Sequence, residues 1–165
     1  MEFLARMNKL IQTLVDQKLT IQTIESFTGG LLANHFIKHA GASKWFKQGL
    51  VLYQLEAKAQ FLGISMDAIR NIDPVSEALV KKFLSKALST SPNSIIIMTT
   101  GNAGPSIQGK HPVGDFYVGI SDGEHELIRL GHAKGSRVYI QQAGLKMAIQ
   151  MLEDFISTYY SVSLK

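Results

Sequence analysis

Apolar and polar positions alternate along this chain with two different periods. Phe3, Leu4, Met7, Leu10, Ile11, Leu14 and Val15 recur every three to four residues, which predicts an amphipathic helix to about Lys18. Thr20-Ile21-Gln22-Thr23-Ile24 then alternates and is rich in β-branched residues, the pattern of a strand. Helical spacing resumes at Leu31, Leu32, His35, Phe36 and His39 until Gly41-Ala42-Ser43 breaks it. Phe46 to Tyr53 reads as a second strand and Leu55 to Leu62 as a short helix. Asp73-Pro74 is a boundary; beyond it Val75-Ser76-Glu77 opens a helix carried by Leu79, Val80, Phe83, Leu84 and Leu88. Ser94 to Thr100 contains the unbroken run Ile95-Ile96-Ile97-Met98, which predicts a strand buried on both faces. Phe116 to Ile120 and Glu126 to Leu130 flank Asp122-Gly123 as an antiparallel hairpin, and Ser136 to Tyr159 closes the chain as a long helix. With no repeat, linker or low-complexity tract, the pattern predicts a single layered α/β domain over residues 1–165, built on a mixed sheet.

Composition narrows the chemistry. The 165 residues include no cysteine, so disulfides, thiolate zinc sites, iron–sulfur clusters and a cysteine nucleophile are excluded. Seventeen Lys+Arg against thirteen Asp+Glu give a net charge of +4, too mild to predict a nucleic-acid partner but suited to a small anionic ligand. No segment approaches the ~20 apolar residues of a membrane span, and the N-terminus lacks the layout of a signal peptide, so no membrane partner and a cytoplasmic location are expected. His35 and His39 stand at i, i+4 without an evident third ligand; they read as packing residues, and neither metal nor cofactor is expected.

Ligands of α/β sheets gather where strands end and helices begin, and three such junctions carry candidate chemistry. In Glu25-Ser26-Phe27-Thr28-Gly29-Gly30, a serine stands between strand and helix, followed by glycines that let backbone N–H groups approach an oxyanion or phosphate. An N-cap serine with flexible glycines explains the same string. Tyr53-Gln54-Leu55-Glu56-Ala57-Lys58 offers a lysine that burial would turn into a base; a surface lysine on an amphipathic helix is the plain alternative. The third junction is Thr100-Gly101-Asn102-Ala103-Gly104-Pro105, continuing to Lys110-His111-Pro112-Val113-Gly114. Here Lys110 and His111, with His132, Lys134 and Arg137, are candidates to hold a phosphate, and ordinary loop solvation accounts for them equally well.

Taken in this order, the three strings resemble the CinA C-terminal domain family, the nicotinamide-nucleotide amidases, whose hallmarks are E-S-C-T-G-G, a Y-S-N-E-A-K-like segment, T-G-I-A-G-P and K-P-V-G. Gly41-Ala42-Ser43-Lys44-Trp45-Phe46, Gly63-Ile64, Val75-Ser76-Glu77 and Gly135-Ser136-Arg137 fall in register with further family strings, so the resemblance runs from about residue 4 to residue 158. It implies a three-layer α/β/α sandwich in the family's stand-alone form, and a homodimer as its assembly. The implied activity is deamidation of nicotinamide mononucleotide to nicotinate mononucleotide and ammonia. Ser26 would be the nucleophile, Lys58 its base and Tyr53 the group that orients or relays the proton. Glu25, Thr28, Gly29, Gly30, Ser43, Thr100, Gly101, Gly104, Lys110 and Arg137 would surround the substrate; of these, Thr28, Gly29 and Gly30 are expected to offer oxyanion donors, and Lys110 and Arg137 to hold the 5′-phosphate. The chain departs from the family strings at four points. Phe27 replaces cysteine and is expected to put a bulky ring beside the nucleophile; Gln54-Leu55 removes a polar side chain; Asn102 replaces isoleucine; Ser106-Ile107-Gln108-Gly109 shortens a glycine-rich continuation. A catalytically silent member, binding a nucleotide or a partner protein through the same crevice, is the alternative.

Overall fold

A computed structural model describes residues 2–160; the side chains of residues 2–4, including the predicted apolar positions Phe3 and Leu4, lie outside the described residues. Five strands, β1 (Thr20–Glu25), β2 (Phe46–Val51), β3 (Ser94–Gly101), β4 (Asp115–Ser121) and β5 (Glu126–His132), form one sheet in the order β2-β1-β3-β4-β5. β1 pairs in parallel with both β2 and β3, whereas β4 and β5 are antiparallel to their neighbours. The helices are α1 (Glu2–Asp16), α2 (Leu31–Ile37), α3 (Leu55–Leu62), α4 (Met66–Arg70), α5 (Glu77–Thr90) and α6 (Arg137–Tyr159).

The alternation of side chains along β3 sorts these helices into two layers. Ile95 and Ile97 face one core with residues of α1, α2 and α6; Ile96 and Met98 face a second with residues of α3, α4 and α5. That makes a three-layer α/β/α sandwich on a mixed sheet, and it explains why β3 reads as continuous apolar sequence. Apart from chain-end residues of a few elements, two details differ from the sequence pattern. β2 ends at Val51 rather than Tyr53, because β1 has already turned off at Ser26 and leaves no partner to extend the ladder. The five-residue α4 escapes periodicity analysis by its length; its signal is local, the Ser65 hydroxyl accepting from Ala68 N–H at 3.1 Å as an N-cap. Among the described residues, no helix is long and apolar enough to cross a membrane.

Because β1, β2 and β3 run in parallel, their C-terminal ends share one edge of the sheet. β4 starts and β5 ends at that same edge, and α6 begins just beyond it, so four loops converge there.

Candidate active site

A cleft of about 170 Å³ opens at this edge, lined by Ser26, Phe27, Tyr53, residues 101–106, Gln108 and Arg137. Ser26 sits immediately after β1 with 7 % of its surface exposed. Its N–H continues the sheet to the Thr99 carbonyl (3.1 Å), while its hydroxyl has no hydrogen bond to the described residues and faces the cleft. The turn that follows is built on glycine backbone: Gly30, the N-cap of α2, has φ 100°, a left-handed conformation that costs a Cβ-bearing residue about 1 kcal/mol or more.

Glu25 is fully buried beneath the turn. Its carboxyl accepts from the Thr28 hydroxyl (2.8 Å) and from the N–H groups of Gly30 (3.0 Å), Leu32 (3.1 Å) and Ala33 (2.8 Å). The Thr28 hydroxyl also meets that of Thr99 at 2.7 Å. Glu25 and Thr28 therefore anchor the first turn of α2 and do not reach a ligand. The same bonds correct the expected oxyanion donors. Gly30 N–H is taken by Glu25 and Gly29 N–H by the Ser26 carbonyl (3.2 Å), which leaves the N–H groups of Phe27 and Thr28 as the turn donors unbonded among the described residues.

Phe27 does not place its ring beside Ser26. The ring is buried in the first core, stacked on Phe116 with centroids 5.3 Å apart, and it fills the space that a Cβ on Gly144 would occupy, at 2.3 Å. What Phe27 presents outward is backbone, and its carbonyl accepts from Gln141 Nε2 at 2.7 Å. Leu55 likewise packs half-buried against the second core. Asn102, another departure from the family strings, is a staple: its amide donates to the carbonyls of Gln108 (2.8 Å) and His111 (2.7 Å) and accepts from Gln108 N–H (2.9 Å), fixing the shortened loop. Each departure is absorbed by packing or by loop geometry.

Lys58, on α3, is 4 % exposed, and its ammonium has no hydrogen bond or ion pair among the described residues. Desolvation by burial lowers its pKa from the usual 10.5, since the charged form loses its water without gaining a counter-ion. No hydrogen bond joins Lys58 to Ser26, and Lys58 does not line the cleft; what ties their elements together is the Leu52 N–H on the Glu25 carbonyl at 2.8 Å. Tyr53 is 56 % exposed at the mouth, and its hydroxyl accepts from Arg137 Nη2 at 2.7 Å. Arg137 Nη1 also donates to the Gly104 carbonyl.

The remaining expectations separate by position. Gly101 and Gly104 line the cleft, but Thr100 is buried with its hydroxyl on the Pro74 carbonyl (2.6 Å). Lys110 is exposed outside the cleft, held through its N–H by Asp73 (3.1 Å), so Arg137 alone supplies positive charge to the lining. Ser43 is exposed in the 3₁₀ turn ahead of β2, at the opposite edge of the sheet, because Phe46 pairs with Ile21 at the bottom of β1. Asn102, Ala103, Pro105, Ser106 and Gln108 are lining residues that stand within the quoted strings but were not among the expected substrate contacts; glycines after a buried strand were the available signal. His35 and His39 pack edge-on against one another at 6.0 Å and belong to no group of three or more potential metal ligands among the described residues; burial first, then Lys38 and His39, lower the His35 pKa to about 4.

Together these define an α/β domain with a cleft at the C-terminal edge of its parallel strands. The chain matches the CinA C-terminal domain over residues 4–156 and belongs to that family. It is 34 % identical over 151 residues to a protein named as competence-damage inducible in Caldicellulosiruptor saccharolyticus, covering 91 % of this chain and 37 % of that protein. A Bacillus subtilis protein of the same name is 32 % identical over 83 % of this chain and 33 % of its own length. The chain thus spans about a third of the curated relatives it matches. Among solved structures, a competence/damage inducible protein from Agrobacterium tumefaciens superposes with a TM-score of 0.79 at 28 % identity, covering 92 % of each chain. One from Klebsiella pneumoniae, at 22 % identity and covering 93 % of this chain and 96 % of that one, shares the fold with a TM-score of 0.83.

Proposed function

We propose that this domain hydrolyses the carboxamide of nicotinamide mononucleotide to the carboxylate, with Ser26 as nucleophile and Lys58 as base. The observation that carries this reading is Lys58: a buried lysine with no counter-charge costs stability, and burial lowers its pKa, shifting the amine toward the neutral form that a serine nucleophile needs. The Ser26 hydroxyl transfers its proton to the Lys58 amine, with the Tyr53 hydroxyl orienting or relaying it, as Oγ bonds the carboxamide carbon. The Phe27 and Thr28 N–H groups receive the oxyanion. As the C–N bond breaks, Lys58 returns the proton to the leaving nitrogen, which departs as ammonia. Water then hydrolyses the Ser26 ester, again with Lys58 as base, and frees the acid and the serine.

Arg137 fits the 5′-phosphate: no carboxylate neutralises it among the described residues, and it stands in the first turn of the 23-residue α6, whose N-terminus favours an anion. Replacement by alanine is expected to raise the Michaelis constant for the mononucleotide.

The absence of a hydrogen bond between Ser26 and Lys58 favours the second reading, a cleft that binds a nucleotide without turnover; catalytic contacts are often loose before substrate binds. Ammonia release from the mononucleotide, with Ser26→Ala as the control, separates the two. Release that is lost in the variant is the expected result. No release, with the mononucleotide still raising the melting temperature, leaves the binding module.

A further inference from the structure

The hydroxyl assigned above to proton relay is engaged elsewhere. Arg137 spans the mouth of the cleft, donating on one side to the Gly104 carbonyl and on the other to the Tyr53 hydroxyl. A phenol oxygen that already accepts from a guanidinium is a weaker acceptor for a second donor, so this bond competes with relay of the Ser26 proton through Tyr53. Nothing else among the described residues holds it: its ring has no stacking partner, more than half of its surface is exposed, and it lines the same cleft as Ser26.

Both acceptors on Arg137 are neutral oxygens. A phosphate dianion offers the same guanidinium a charge-assisted, two-pronged pair, which is the stronger bond. Capture of a phosphate through Nη1 and Nη2, the nitrogens now on Gly104 and Tyr53, draws Arg137 off the phenol.

Resting on the amidase reading, we infer that the Tyr53–Arg137 contact is a substrate-operated latch: the phosphate of the substrate draws Arg137 off Tyr53 and thereby switches on the hydroxyl that serves Ser26. The latch makes the anion a requirement for turnover and not only for binding. It selects nucleoside monophosphates over the corresponding nucleosides through kcat, because remote binding energy is spent on assembling the site.

The test compares the mononucleotide with its dephosphorylated nucleoside, with and without inorganic phosphite, and follows [13Cζ]tyrosine by NMR, the Tyr53 resonance being the one absent from Tyr53→Phe. The latch predicts a nucleoside kcat at least about tenfold below that of the mononucleotide, and restoration of about tenfold by phosphite supplied separately. Phosphite should also shift the Tyr53 resonance, and both phosphite effects should vanish in Arg137→Met. Equal kcat for the two substrates, with phosphite inert on the nucleoside and on the resonance, overturns the latch and leaves the amidase. If neither substrate releases ammonia while phosphite still moves the Tyr53 resonance through Arg137, the amidase reading falls and the anion-driven release of Tyr53 stands. Should both readouts be silent, both inferences fall.

Discussion

Glu25 and Lys58 are both buried, both ionisable, and both placed at the C-terminal edge of the parallel strands, yet the fold treats them in opposite ways. The β1–α2 turn gives the Glu25 carboxyl four close donors, three of them backbone N–H groups of the N-cap and first turn of α2 that would otherwise lack partners. The β2–α3 junction gives the Lys58 ammonium none. A buried charge that is fully bonded is scaffold: it orients the turn carrying Ser26 and is unavailable to a ligand. A buried cation without a partner is held at a cost to stability, and that cost is what lowers its proton affinity.

Exchanging Lys58 for methionine tests the contrast most severely. Turnover should fall on the order of 10²- to 10⁴-fold, while the urea midpoint rises because a desolvated charge has been removed. A fall in the midpoint would end the contrast. With Lys58 in place, the amidase reading has the rate rise with pH as Lys58 loses its proton, with a midpoint below 10.5. Since the unfolded chain binds the extra proton across that window, stability also rises with pH through it.

Glu25→Gln should do the reverse of Lys58→Met. It presents an amide N–H₂ to backbone donors and is expected to cost about 4 kcal/mol in denaturant unfolding. Its loss of stability and the methionine variant's gain, measured together, are the sharpest form of the comparison. His35 is an intermediate case, buried and kept neutral. With its pKa lowered to about 4 from 6.5, the unfolded state binds more protons between those values. Stability should therefore fall by up to about 3 kcal/mol as pH drops through that range, and His35→Gln should flatten the profile. The smallest effect concerns the apolar side of the same Ser26 turn. Gly144→Ala brings a Cβ against the Phe27 ring and should cost about 1–3 kcal/mol. Phe27→Val should recover most of it in the double variant; additive losses would mean that the ring and Gly144 are not coupled.

Much of the architecture is visible in the chain itself, for reasons that are local. Ile95 to Met98 advertises a strand covered on both faces, and the spacing of Leu79, Val80, Phe83 and Leu84 advertises the helix that covers it. Gly29-Gly30 after a short strand marks a turn that needs left-handed backbone. The site was legible only in part. Phe27 in sequence looks like an obstruction next to a nucleophile. Whether it is one depends on which way its side chain leaves the backbone, and on Gly144, 117 positions later, having no side chain. Ser43 sits only 17 positions from Ser26, yet the parallel register carries it to the far edge of the sheet.

By itself, the sequence determined the order and type of the main elements, membership of the family through its strings in register, and the presence of a serine, a tyrosine and a lysine at strand ends. Those features depend on residues close together in the chain, where periodicity and turn chemistry act. The tertiary structure alone decided which polar groups are already spent: that Glu25 and Thr28 bond α2, that Asn102 pins a loop, that Lys58 has no partner and that Arg137 holds Tyr53. Such bonds join residues up to 84 positions apart, and the energy of a buried polar group is set by what surrounds it in space.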